Sequence, residues 1–250
     1  MIKLFKKIRR NLLVKNKFSK YLLYAAGEII LVVIGILIAV KINSFNESRK
    51  SEEQRNNLIE RLGKQINLNQ LQVKESLVDL ESQIQGIETV LKLTATSKSE
   101  IIYHSVDSLI TFVIEDHHLG LDITILQEAL QNGELSVLKN NDLRTFLYSF
   151  LKYNERLEQR EEIANYDNNS FMIPFLYKNL NSRNVSANTD KEYRNKIGYS
   201  KLQPNEFKYL LSNREFENLV ESRLYYAQEM MSNYLNIQNF LGFLDDQLNE

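Results

Sequence analysis

Cysteine is absent from the 250 residues, proline occurs twice, at 174 and 204, and histidine three times. Each shortage removes a class of explanation. Without cysteine there is neither a disulfide framework nor a lipid-attachment site, so any anchoring rests on apolar sequence alone. With no proline before Pro174 and with Gly63 and Gly86 isolated, a helix can run far without a ring to break it. Gly-x-Gly-x-x-Gly and the Walker phosphate loop are both missing, which leaves a nucleotide site without support. Lys, Arg and Asp are absent from Tyr21 to Val40, the longest uncharged stretch but for one residue, Glu28.

That stretch is long enough to cross a bilayer, since about 20 residues at 1.5 Å rise span roughly 30 Å. Glu28 does not defeat insertion. The dozen Leu, Ile and Val residues contribute about −4 to −7 kcal/mol against about 2.5 to 3.5 for one central charge. Glu28 also lies about 10 Å of helix from Tyr21, close enough to reach toward headgroups beside Tyr21 and Tyr24. Along one side of the helix it lines up with Leu31, Gly35 and Ala39, and Gly35 with Ala39 makes a small-x-x-x-small surface on which a second span could pack. Association through this face and simple snorkelling of Glu28 to the headgroups are equally open.

Charge sets the expected orientation. Residues 1–20 hold eight Lys or Arg and no acid, whereas residues 41–60 balance four basic residues against four acids. The positive-inside rule places the N-terminus in the cytoplasm and the following 210 residues outside it. The run ends "LIAVKINSF", without the Ala-x-Ala pattern of a cleaved signal, so an uncleaved anchor is expected. The arm carries Leu4, Phe5, Ile8, Leu12 and Leu13 at helical spacing among Lys3, Lys6, Lys7, Arg9 and Arg10, an interfacial pattern suited to anionic lipid, although topogenic charge alone explains it equally well. Residues 41–250 carry 23 basic against 31 acidic residues, which makes nucleic acid an unexpected partner.

Beyond the span the periodicity is helical. Ile59, Leu62, Ile66, Asn69, Val73, Leu77, Leu80, Ile84, Ile87 and Leu91 step by threes and fours, a coiled-coil seam with one stutter. Helices are also expected over "SVDSLITFVI", over "DITILQEALQNG" with Gly133 as its cap, and from Asn141 onward. Residues 167–203 read as an exposed excursion. Ser212 and Glu215 carry a capping-box signature, and Val220, Leu224, Ala227, Met231, Tyr234, Leu241, Leu244 and Leu248 mark a last seam. Antiparallel return of that helix along residues 55–92 would bury both seams.

These readings give an all-α protein with four parts: a basic cytoplasmic or interfacial arm (1–20), a transmembrane helix (21–40), a long juxtamembrane helix (41–93) and a helical domain closing with a long helix (94–250). The segments "NKFSKYLLYAAGEIILVVIGILIAVKINSFNE", "LQEALQNGELSVLKNNDLRTFLYSF" and "LLSNREFENLV" resemble an uncharacterised family of single-span membrane proteins from Bacteroidetes. Gly27, Glu28, Gly35, Asn46 and Glu47 are the most specific residues of the likeness, which covers nearly the full length. The resemblance implies a bacterial inner membrane with the helical domain in the periplasm, and it supplies no catalytic residues.

Few residues point to chemistry. Glu115, Asp116, His117 and His118 bring two carboxylates beside two histidines, a set able to donate metal ligands, but neighbouring helical side chains diverge by about 100° and only His104 remains elsewhere. "DHH" also names a phosphoesterase family whose other motifs are missing here. Ser136-x-x-Lys139 matches a serine acyl-enzyme spacing without its Lys-Thr-Gly companion. Glu161 with Glu162, and Asp245 with Asp246, read as solvated faces. "RLYYAQEMMSNYL" reads as core more readily than as a ligand slot. The expected function is therefore non-enzymatic: a membrane-anchored periplasmic module acting through protein partners, as a homo-oligomer or with another membrane protein, and needing no cofactor or metal. The alternatives are a ligand-sensing bundle that signals through a separate membrane partner, and an enzyme with a site around Glu115–His118.

Overall fold

A computed structural model describes residues 18–95, 106–202, 205 and 207–249. Among them every regular element is helical and no strand occurs, which bears out the all-α reading. Contacts divide the chain into two compact units, residues 1–57 and 58–250. Lys3, Lys6, Lys7, Arg9, Arg10, His104 and Pro204 lie outside the described residues.

In the first unit the backbone is helical from Phe18 onward, as part of helix α1 (Phe18–Thr94). Its 18-residue apolar window has no residue buried, and Ile29, Leu31, Leu37 and Ile42 are among the exposed side chains. Such a run has the length and composition to cross a membrane. At its polar end the pattern changes to local pairing: Asn43 Nδ2 donates to Glu47 Oε1 at 2.9 Å, and the Arg55 guanidinium meets Glu52 at 2.6 Å.

The second unit packs the remainder of α1 against α2 (Val106–Ile114), α3 (Thr124–Gln131), α4 (Asn141–Asp167), α5 (Ile173–Asn179), α6 (Ser182–Thr189), α7 (Lys191–Ile197), α8 (Phe207–Leu210) and α9 (Arg214–Asn249). Pairings fix the directions. Phe146 meets Phe243 edge-on at 4.6 Å, Phe150 approaches Phe240 at 5.8 Å, Tyr153 donates to Asn233, and Ser222 donates to Asp167, so α4 and α9 are antiparallel. Thr94 donates to Glu217 while Leu77 and Ile84 share a groove with Met231 and Leu235, so α9 also returns antiparallel to α1. The seam of α9 is Phe216, Val220, Arg223, Ala227, Met230, Tyr234, Ile237, Leu241, Leu244 and Leu248, all buried and stepping by fours and threes. Each fully buried apolar side chain in such a seam contributes about 1.5 to 3 kcal/mol.

Several local expectations are corrected. The cap of α9 is Asn213, whose Oδ1 accepts from the Glu215 and Phe216 amides; Ser212 instead donates to the Lys208 carbonyl. By contrast α4 opens at Asn141 as expected, with Asn140 capping it by accepting from the Asp142 and Leu143 amides. The stretch from 167 is not simply an excursion: α4 runs through a π turn (Asn168–Met172) into α5, burying Met172, Phe175 and Leu176, and α6 and α7 follow. The widened turn precedes Pro174, which has no N–H to give to a regular ladder. On α1, Leu58, Gln65, Gln83 and Val90 are buried, while Ile59, Leu77, Ile84 and Leu91 are only partly so. At Gly86 the Phe112 side chain of α2 leaves no room for another: a Cβ there would stand 2.8 Å from Phe112 Cβ.

Candidate functional site

Between α2 and α3 the chain runs without helix through Glu115–Ile123. "EDHHLGLDI" runs Asp116, His117 and His118, poorer helix formers, after Glu115 and contains Gly120 at φ 61°, a left-handed conformation that suits glycine. From His117 to Asp122 burial alternates, with His117, Leu119 and Leu121 inside and His118, Gly120 and Asp122 outside. This is the period of an extended strand, set in a helical protein with no sheet to join. Its buried backbone groups therefore need other partners, because an unpaired one costs about 1 to 3 kcal/mol.

Side chains of α1 supply one set of partners. Gln83 Nε2 donates to the carbonyls of Phe112 and Glu115 at 3.1 and 3.0 Å. Gln72 donates to those of Leu119 and Gly120. Asn69 pairs with both backbone groups of Asp122, donating to its carbonyl at 2.7 Å and accepting from its amide at 2.9 Å. Gln65 accepts from the Leu126 amide and donates to the Asp122 carboxylate.

A second set comes from α4, the π turn and α9. Asn165 accepts from the His117 amide at 2.8 Å and donates to the His117 carbonyl at 2.7 Å. The buried Glu161 accepts from the Leu119 amide at 2.8 Å and from the Tyr234 hydroxyl at 2.6 Å, both on Oε1. Asn168 donates to the Ile114 carbonyl and to Asp116. Arg223, fully buried, donates to the carbonyls of Val113 and Ala164 at 3.0 Å each and to that of Glu115. Three helices thus hold one strip through side chains.

The electrostatics follow from burial. Desolvation pushes the His117 imidazole down to about 4, the Arg223 charge adds to this, and Asp116 pulls the other way. Its Nε2 is buried without a hydrogen-bond partner among the described residues. Burial also lowers the Arg223 guanidinium and raises the Tyr234 hydroxyl, the latter with help from its bond to Glu161. Glu115 is raised by desolvation and by the nearby charge of Asp79. Away from the strip, the buried Asp107 is raised by desolvation although Asn188 and Asn205 donate to it, tying the 181–205 segment to α2.

The structure separates the Glu115–His118 set. His117 turns into the core, while the His118 side chain is 81% exposed and lies 3.8 Å from Glu161 through Nδ1. Among the described residues no three His, Cys, Asp or Glu side chains gather as a metal site. Ser136 donates its hydroxyl to the Gly133 carbonyl at 2.7 Å. Glu161 is the correction among the paired acids, since it is buried and bonded where a solvated face was expected. Of "RLYYAQEMMSNYL", Met230 and Tyr234 are core and Tyr225 is exposed. Glu28, Leu31, Gly35 and Ala39 are all exposed on the first unit's helix, and nothing stands within 4 Å of a Cβ placed on Gly35.

Arg223 and the amide side chains that hold the strip, apart from Asn69 in the expected seam, were missed by the sequence reading. One signal was present: Phe216, Val220, Arg223, Ala227 and Met230 keep an unbroken four-three alternation, and the charge at 223 hid it. An open groove of about 510 Å³ also runs between α1 and α9, lined by Leu77, Val78, Ile84, Met231 and Leu235 with Lys74 and Glu81 at its edges. No protein-family model, no curated protein and no solved structure matches this chain.

Proposed function

We propose that the protein is a membrane-anchored interaction module: a single span holds it in a bacterial inner membrane, and the helical domain works in the periplasm through protein partners. The observation that carries this reading is the unburied apolar run of α1, which has the length and hydropathy of a span and is covered by none of the described residues. The excess of eight basic residues in the arm supports the direction of insertion. The filled helical core and the partly apolar groove between α1 and α9 support a role in contact with other proteins.

Topology is tested by reporter fusion. An enzyme active only outside the cytoplasm should be active when joined after Glu250 and silent when joined at Met1, and the reversed pair of results defeats the orientation. Association is tested in the membrane itself. Glu28, Leu31, Gly35 and Ala39 form the face expected to meet a second span, either of another copy or of a different membrane protein. Gly35→Ile and Glu28→Leu should each weaken self-association in a membrane two-hybrid assay, the polar contact being worth up to about 1 to 2 kcal/mol. If neither variant changes the signal, Glu28 reaches the headgroups and the span is an anchor without a mate.

A further inference from the structure

We propose that the Glu115–Ile123 strip is an acid-released latch, a segment that leaves its slot as one unit, ahead of the helices around it, when the pH falls below neutrality. Three observations on its geometry support this. The strip is held by side chains of α1, α4 and α9 instead of by a backbone ladder, so its release leaves the i to i−4 bonds of those helices intact. Its bonds are distributed along its length, at Glu115, His117, Leu119, Gly120 and Asp122, so breaking the middle loosens both ends. At its centre the buried His117 ring has a nitrogen without a partner, and a proton added there would be a charge in the core beside the guanidinium of Arg223.

The direction with pH follows from linkage. An imidazole held near 4 in the closed strip and near 6.5 when released is neutral in both states above neutrality, so closure carries no proton penalty there. As pH falls through 6.5 the released form takes up the proton first, and closure is progressively lost until about pH 4. Between pH 7.5 and 5 the opening constant should rise about 30-fold. The other charged groups around the site are Arg223 on α9, Glu161 on α4, Asp79 on α1, and Glu115, Asp116, His118 and Asp122 on the strip itself, the last held down chiefly by its bonds from Thr124. Glu115 opposes the effect, because its raised carboxyl gains a proton more readily in the closed form as the pH falls.

Hydrogen exchange by mass spectrometry on the full chain in detergent, at pH 7.5 and pH 5 with correction for intrinsic rates, tests the latch. Peptides covering the strip should lose about 30-fold in protection at pH 5 while those of α4 and α9 keep theirs. His117→Leu and His117→Gln, neither of which can take up a proton, should abolish the pH dependence of the strip. An unchanged pH dependence in a folded variant, or strip and helices exchanging together at pH 5, overturns the proposal. The comparison of strip with helices in the unaltered protein decides the matter even where a variant fails to fold.

Discussion

Arg223→Met is expected to lower the stability of the helical domain by about 3 to 5 kcal/mol, through the carbonyls it leaves behind. The guanidinium bridges Val113 and Glu115 on one side and Ala164 on the other, so a single side chain closes the end of α2 onto α4. Methionine fills similar space but donates nothing, so three charge-assisted hydrogen bonds are lost at about 1.5 to 3 kcal/mol each, although the Glu115 carbonyl keeps Gln83 and the Ala164 carbonyl keeps the Asn168 amide. Relief of the buried charge works in the opposite direction, since desolvating a cation costs several kcal/mol. The lost bonds outweigh that relief because only one side of the network is replaced and the three links from α9 to Val113, Glu115 and Ala164 go together. Arg223→Lys should fall between, as an ammonium is a compact charge that cannot span the fork. Chemical denaturation of the detergent-solubilised chain, followed by circular dichroism, measures both. A methionine variant as stable as the original would show that the guanidinium is a burden on the core and not its clamp.

Phe216→Ala should be of similar size, about 3 to 5 kcal/mol, for an apolar reason. Phe216 is fully buried near the start of α9 and stacks on Phe175 of α5, with ring centroids 6.0 Å apart and planes at 18°. Truncation removes the transfer energy of the ring and leaves a cavity where α9 meets α5. Because two helices line the void, it closes only if one of them shifts. For a unit of this size the loss should lower the melting temperature by about 6 to 20 °C. Phe216→Leu, which keeps much of the volume, should cost less than about 1.5 kcal/mol. Equal losses from the two variants would mean that shape, and not volume, decides at this site.

The parts of the fold legible in the sequence were those written in period. The run Ile29–Val40 announced its own length, and the long helix up to Thr94 followed from absent prolines and continuing threes and fours. The last helix was legible too, but its register was misread at Leu224 and Met231 because hydropathy favoured them over Arg223. Asn69 was placed inside by its position in the seam, but hydropathy could not mark Gln65 and Gln83 as interior, since their burial depends on a backbone strip distant in the chain that offers them partners. The strip carried its own two-residue alternation from His117 to Asp122, but a lone extended segment in a helical context invites the search for metal ligands before the search for a backbone slot. Glu161 escaped for the same reason. Its neighbour Glu162 is exposed, and no local pattern distinguishes a carboxylate that caps the Leu119 amide from one in water.

The strip has a bearing on the order of events as the chain is made. Its partners come from three separated stretches, residues 65–83, 161–168 and 223, and the bond from Arg223 to Val113 closes a separation of 110 residues. Individual helices form in about a microsecond, yet the carbonyls at Val113 and Glu115 have no guanidinium until residue 223 has emerged, roughly 5 to 20 s after residue 113 at ordinary synthesis rates. During that interval Leu119 can already meet Gln72 and Glu161, and it is the end of the strip at Glu115 that waits for α9. Full closure of the strip therefore comes only once residue 223 has been made, the last of its partners along the chain.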